Sequence, residues 1–310
     1  MRLKAGRPDL GRYADRFDVP EAGDGLSVTF LGVSTLLLDD GSSAILTDGF
    51  FSRPGMLQVL AARLTPDQDR IAACLAKAGI GRLDAVVPVH GHFDHALDSA
   101  AVAARTGATL VGGASVAHLG TGAGLPADRI ATPAPGTPTA YGAWTLTLIG
   151  SEHCPPDRYP GEITAPVVPP ARAGAYRCGD AWSILVEHTS GRTALVQGSA
   201  GFRVGALAGH PAEVVYLGIG QLGVQPESYI RTYWDEMVKR TGARRVVLTH
   251  WDDFFSALPM HDGDRPLRAL PYAGDDLDVT VRVLAGLAER DGVALSFPTL
   301  WAREDPWGLD

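Results

Sequence analysis

Cysteine is scarce, with three in 310 residues (Cys74, Cys154 and Cys178). An odd number scattered along so long a chain cannot close a complete disulfide framework and suits a reducing compartment, so a cytoplasmic location is expected. Basic residues show no excess: Lys and Arg number 27 against 35 Asp and Glu, a formal charge of −8. Nucleic-acid affinity rests on clustered Lys and Arg neutralising phosphates, so a general nucleic-acid binder is disfavoured. Long apolar runs are missing too. Charges interrupt the first twenty residues every few positions, which denies them the apolar core of a secretory signal. No later stretch is long and apolar enough for a membrane span.

What is present is an ordinary globular composition, 45% apolar and 20% charged, with 37 Gly and 22 Pro punctuating short apolar runs. β-branched runs bounded by turn residues predict strands at 27–30, 34–38, 43–47, 85–89, 109–111, 145–149, 183–188, 193–197, 214–217, 246–249 and 294–297. Helical periodicity falls between them at 66–78, 96–106, 226–241 and 279–290. Strands that precede and follow helices throughout mark an α/β chain with helix-covered sheets. The two halves share a rhythm of hairpin strands followed by strand, loop and helix. That rhythm fits a single two-sheet domain over residues 26–310, preceded by an N-terminal arm at 1–25. The proline-dense stretch 154–180 has no clear period and reads as a stiff pocket loop.

Nine histidines occur in the chain, yet three of them fall within His90-Gly91-His92-Phe93-Asp94-His95. This run follows the strand at 85–89 and precedes a helical segment, the position where open α/β sheets carry their sites. His90 and His92 can turn one way while Asp94 and His95 turn the other, offering two adjacent ligand sets. Imidazole suits zinc and iron, and carboxylate tolerates both. Other strands also finish in polar residues: 145–149 leads to Ser151-Glu152-His153, 246–249 to His250, 43–47 to Asp48, and 193–197 to Gly198-Ser199. One convergent site at one edge of the sheets is expected.

With H-x-H-x-D-H after a strand and single strand-end histidines beyond it, the chain resembles the metallo-β-lactamase superfamily over roughly residues 26–300. The resemblance implies a four-layer αββα sandwich and a metal-activated water as nucleophile. It implies that His90, His92 and His153 hold one divalent ion and that Asp94, His95 and His250 hold another. One or two ions are expected, zinc first, with manganese or iron accommodated. Asp48 matches an aspartate that orients a ligand histidine. Phe30-Leu31-Gly32-Val33-Ser34-Thr35, Leu46-Thr47-Asp48-Gly49-Phe50 and His250-Trp251-Asp252-Asp253-Phe254 are similar to the branch of ascorbate-6-phosphate lactonase-like proteins and, more remotely, N-acylphosphatidylethanolamine phospholipase D-like hydrolases. That branch implies an ester, lactone or phosphoester of a small molecule as substrate.

One departure matters. Binuclear hydrolases of this kind carry a bridging aspartate after a glycine where this chain has Gly198-Ser199. Two divalent ions about 3.5 Å apart repel by about 19 kcal/mol even at an effective dielectric of about 20. Losing a carboxylate leaves the site one charge more positive. The second ion then binds more weakly, or the site favours an anionic substrate group. Asp94 is expected to orient the attacking hydroxide, Ser199 to touch it, and Asp253 or Asp252 to compensate from just beyond His250. Arg158, Arg172, Tyr176, Arg177 and His261 are the candidates for substrate contact.

Rival readings are a di-iron oxidoreductase on the same scaffold and a non-catalytic, metal-stabilised binding protein. A serine hydrolase fails on Gln197, because a nucleophile elbow needs glycine two residues before the serine. A nuclease of the ribonuclease Z type shares the ligands but is disfavoured by the acidic charge. The partner expected is a small molecule, with homo-oligomers left open.

Overall fold

The structure, a computed structural model, describes residues 4–308. Its strands are β1 (Ser27–Phe30), β2 (Leu36–Asp39), β3 (Ala44–Thr47), β4 (Ala85–Val87), β5 (Thr109–Val111), β6 (Ile130–Ala131), β7 (Thr139–Tyr141), β8 (Trp144–Gly150), β9 (Trp182–His188), β10 (Thr193–Gln197), β11 (Val214–Gly218), β12 (Arg245–Thr249), β13 (Ala294–Ser296) and β14 (Arg303–Glu304). They form two seven-stranded sheets, ordered β14-β1-β2-β3-β4-β5-β6 and β13-β12-β11-β10-β9-β8-β7. Each sheet begins as an antiparallel meander and continues in parallel from β3 to β6 and from β10 to β13. This repeats in space the shared rhythm of the two halves.

The helices are α1 (Met56–Ala61), α2 (Gln68–Lys77), α3 (Phe93–Ala96), α4 (Ser99–Thr106), α5 (Ala114–Gly122), α6 (Glu227–Trp234) and α7 (Leu277–Asp291). Period-two alternation sorts the side chains of β2. Leu36 and Leu38 join Ile45, Leu146, Leu148 and Ile184 in the core between the sheets, whereas Leu37 joins Ile71, Cys74 and Val102 under α2 and α4. On the other side, Ile230 and Tyr233 of α6 and Leu284 and Leu287 of α7 pack with the strands of the second sheet. The layers are therefore α, β, β, α. The central parallel strands are buried along their whole length, as Arg245–Thr249 illustrates.

Three strands escape the sequence pattern, β6, β7 and β14, because their Ile-Ala, Thr-Ala-Tyr and Arg-Glu residues hold no run of β-branched side chains. Helices α1 and α5 are likewise short, and α5 carries two of its nine residues as glycine. The helical segment at 96–106 breaks between α3 and α4, where Asp98 turns its carboxylate to accept the Phe51 and Ser52 amides (2.8 and 2.6 Å). The segment at 226–241 ends in a π turn over Asp235–Lys239.

The first three residues of the arm lie outside the described ones. The rest of the arm packs on the domain: Phe17 stacks on Phe297 at 5.3 Å, and the Tyr13 hydroxyl donates to Asp278 at 2.6 Å.

Candidate metal centre

The carboxyl ends of β3, β4, β8 and β12 deliver Asp48, the His90–His95 run, His153 and His250 to one place. Ring centroids of His90, His92 and His153 lie 4.6 to 4.9 Å apart. Those of His95 and His250 are 5.1 Å apart, and His90 and His95 approach to 4.1 Å. One donor atom each from His90, His92 and His153 falls within a 4.8 Å set, and one each from Asp94, His95 and His250 forms a second. The two sets abut, with His90 and His95 at their junction. All except the half-buried His153 are buried.

The local backbone is shaped for this convergence. Val33, Asp48, Arg53 and His250 all adopt left-handed φ (54°, 52°, 42° and 58°), which is costly for non-glycine residues and unusual for a β-branched one. The strain is held by a buried lattice of bonds. The His250 amide donates to the Val33 carbonyl at 2.7 Å, and the Val33 amide donates to Asp252 Oδ1 at 2.8 Å. Glycine is needed where the layers touch. A Cβ at Gly91 would collide with the Arg177 carbonyl oxygen, and one at Gly220 would stand 2.7 Å from His250 Nδ1.

Asp48 accepts from three groups: the Val89 amide (2.9 Å), the Ser34 hydroxyl (2.6 Å) and His95 Nδ1 (2.8 Å). That fixes the proton of His95 on Nδ1 and leaves Nε2 with a bare lone pair. Nε2 is fully buried with no hydrogen-bond partner and lies 3.7 Å from Asp94 Oδ2. The same oxygen is 3.4 Å from His250 Nε2. An orphaned acceptor beside a carboxylate costs free energy in a dry site, and a cation between them removes the cost.

Electrostatics agree with that fit. Burial, reinforced by the neighbouring imidazoles, pushes His90 well below its ordinary pKa. His153 is pushed down to about 4, mainly by burial and then by His92. Burial works to raise Asp94, but His95 and His250 outweigh it and hold the carboxyl below the usual carboxylate range. Against the effect of its own burial, His250 is raised by Asp94. Neutral His90 and His153 beside an ionised Asp94 are in the state that binds a divalent cation, and His250 must give up its proton to join them.

Several expected residues lie elsewhere. Asp253 does not face the imidazoles; it pairs with Arg7 of the arm at 2.6 Å and caps the following turn. Asp252 sits behind His250, in a fully buried ion pair with Arg53. The Ser199 hydroxyl accepts the Cys154 amide at 2.9 Å, so it fastens the segment that carries His153. Tyr176 is enclosed with Phe50, Phe93 and Ile163, and a substrate cannot reach it. Arg158, Arg172, Arg177 and His261 are exposed. Arg177 lines a cleft of about 690 Å³ formed within the proline-dense loop, without any of the site histidines. His261 follows Met260, which packs on Cys74 of α2, in the outer helical layer. The cavity that does include His153, about 430 Å³, is completed by Glu152, Pro155, Phe202, Arg203, Val204 and Tyr229. Phe202 and Arg203 carry no sequence signal beyond following Ser199.

Residues 28–196, more than half the chain, match the family model described as Metallo-beta-lactamase superfamily. The chain belongs to the metallo-β-lactamase superfamily. A curated relative from Heliobacterium modesticaldum, named UPF0173 metal-dependent hydrolase, is 34% identical over 86 residues, 28% of this chain and 29% of that one. The match thus spans less than a third of that relative's length. Among solved structures, Igni18, a metallo hydrolase from Ignicoccus hospitalis, aligns over 89% of this chain and 96% of its own at 15% identity and a TM-score of 0.50. CmlA, a diiron beta-hydroxylase from Streptomyces venezuelae, aligns over 90% of this chain and 54% of its own at 11% identity and a TM-score of 0.51. At such identities the likeness is one of fold.

Proposed function

We propose that this protein is a metal-dependent hydrolase of a small-molecule ester, lactone or phosphoester. The observation that carries the reading is the buried, partnerless Nε2 of His95 facing Asp94 and His250, beside a second trio of imidazoles. His90, His92 and His153 would hold one divalent ion and Asp94, His95 and His250 the other, with zinc favoured by a donor set of five imidazoles and one carboxylate. A bound divalent ion supplies Lewis acidity and brings the pKa of its water from about 15.7 toward about 7.

The chain's own residues prepare the rest. Asp94 keeps an ionised oxygen at the junction of the two sets, where it can accept a hydrogen bond from the attacking water and orient it. Asp48 fixes the tautomer of His95. Ser199, through the Cys154 amide, fixes the strand end that presents His153. Within the superfamily, the lactonase-like branch is favoured because its three quoted runs meet here: Val33 bonds His250 and Asp252, and Ser34 bonds Asp48. Three buried free thiols support a cytoplasmic setting.

The test is a panel of lactones, carboxylic esters, thioesters and phosphodiesters offered to zinc-loaded protein. Turnover that disappears on chelation and returns with zinc is expected. No metal-dependent turnover across the panel would favour a metal-stabilised binding protein instead.

A further inference from the structure

Missing from the centre is the carboxylate that would bridge the two ions, and the residues expected to compensate, Asp252 and Asp253, are committed to Arg53 and Arg7. A different carboxylate approaches the imidazole trio. Asp157, near the start of the proline-dense loop, places Oδ1 3.2 Å from His92 Nε2. The Tyr159 carbonyl oxygen lies 3.2 Å from the same nitrogen. On its other side, His92 turns Nδ1 to within 3.0 Å of His90 Nε2.

A neutral imidazole has one lone pair and one N–H. If Nδ1 serves the trio with His90 and His153, the proton must sit on Nε2, where the Tyr159 carbonyl accepts it and the Asp157 carboxylate lies alongside at ion-pair distance. The loop is built to hold that acceptor in place. The Gly91 amide donates to the Cys178 carbonyl at 2.8 Å, the Cys178 amide to the Tyr159 carbonyl at 2.9 Å, and the Tyr159 amide to Asp157 Oδ1 at 2.9 Å. The loop therefore folds back on the His90–His95 turn and carries its carboxylate with it.

We infer that Asp157 is a positioning residue for metal binding: by accepting the Tyr159 amide it holds the Tyr159 carbonyl that fixes His92 in the Nε2–H tautomer, and its carboxylate, 3.2 Å from Nε2, supplies negative charge that the imidazole trio lacks. This rests on the metal-site reading above. Cys178 Sγ also lies within the 4.8 Å set formed with Asp157 and His92. A separate ion there would need a second lone pair from the His92 ring, so no further ion site is assigned to this trio.

The experiment compares wild type with Asp157→Asn and Asp157→Ala. Long-range ¹H–¹⁵N NMR of the metal-free proteins reads the His92 tautomer, and competition against a chromophoric chelator reads zinc affinity and stoichiometry. Wild type is expected to show the Nε2–H form. Asp157→Ala is expected to mix the tautomers and weaken one zinc by about 10- to 100-fold. Asp157→Asn keeps an acceptor oxygen, so it is expected to retain the tautomer and lose only part of the affinity; it also serves if the Ala protein does not fold. Unchanged tautomer and unchanged affinity in both variants would overturn the inference alone. So would loss of one whole equivalent from a total of three, since Asp157 would then ligate its own ion. A wild type that binds no zinc would overturn the metal-site reading as well.

Discussion

Adding a single methyl group at Gly220 is expected to damage the centre without touching any proposed ligand. Gly220 lies just past β11, and its φ is not in the left-handed region, so alanine meets no backbone penalty there. The obstacle is His250: the new Cβ would stand 2.7 Å from Nδ1, 3.0 Å from Cε1 and 3.2 Å from Cγ. Ordinary contact begins at about 3.4 Å, so the ring must retreat by roughly 0.7 Å. It cannot retreat freely, because its backbone amide is tied to Val33 and its Nε2 faces Asp94. A misplacement of about 1 Å costs on the order of a hundredfold in rate. Gly220→Ala should therefore lower kcat by about ten- to a hundredfold and weaken the ion held by Asp94, His95 and His250, while circular dichroism stays unchanged. Zinc titration and steady-state kinetics on the same preparation check this. Wild-type affinity and rate in Gly220→Ala would refute the reasoning that His250 is wedged against the glycine.

Two further expectations concern residues away from the ions. Asp253→Ala should leave zinc stoichiometry unchanged and cost about 1 kcal/mol in urea denaturation, because its carboxylate serves a partly exposed pair with Arg7; a lost zinc equivalent would contradict that placement. Glu304 is 2% exposed, and its burial pushes the carboxyl up to about 7. A raised folded pKa means stability fully present below about 4.5 and lost as pH rises through about 7. Glu304→Gln should accordingly be more stable than wild type at pH 8, by at most about 3 kcal/mol, with no advantage at pH 4.5. Equal differences at the two pH values would show that ionisation of Glu304 is not the cause.

The β-branched strands and the histidine run were legible because their signals are local. Ser27–Phe30, Thr109–Val111 and Thr193–Gln197 form strands with the boundaries their β-branched runs imply. His153 and His250 could be found because the strands that deliver them are plain. Asp252 and Asp253 show where proximity in sequence misleads: neighbours on an extended segment face opposite ways, one toward Arg53 and the other toward Arg7. Asp157 was invisible for a different reason. Its role depends on how a proline-dense loop without periodicity folds back over Gly91, and no pattern in the loop encodes that register. Tyr176 was misjudged on the same loop, since polarity of type says nothing about which side chain turns inward to Phe50 and Phe93.

Calorimetric titration of the metal-free protein with zinc reads the two ligand sets themselves, without any need for a substrate. Two saturable ions per chain are predicted, one of them lost in His90→Ala and the other in His250→Ala. The absence of saturable binding, or binding indifferent to both substitutions, would contradict the two-ion site.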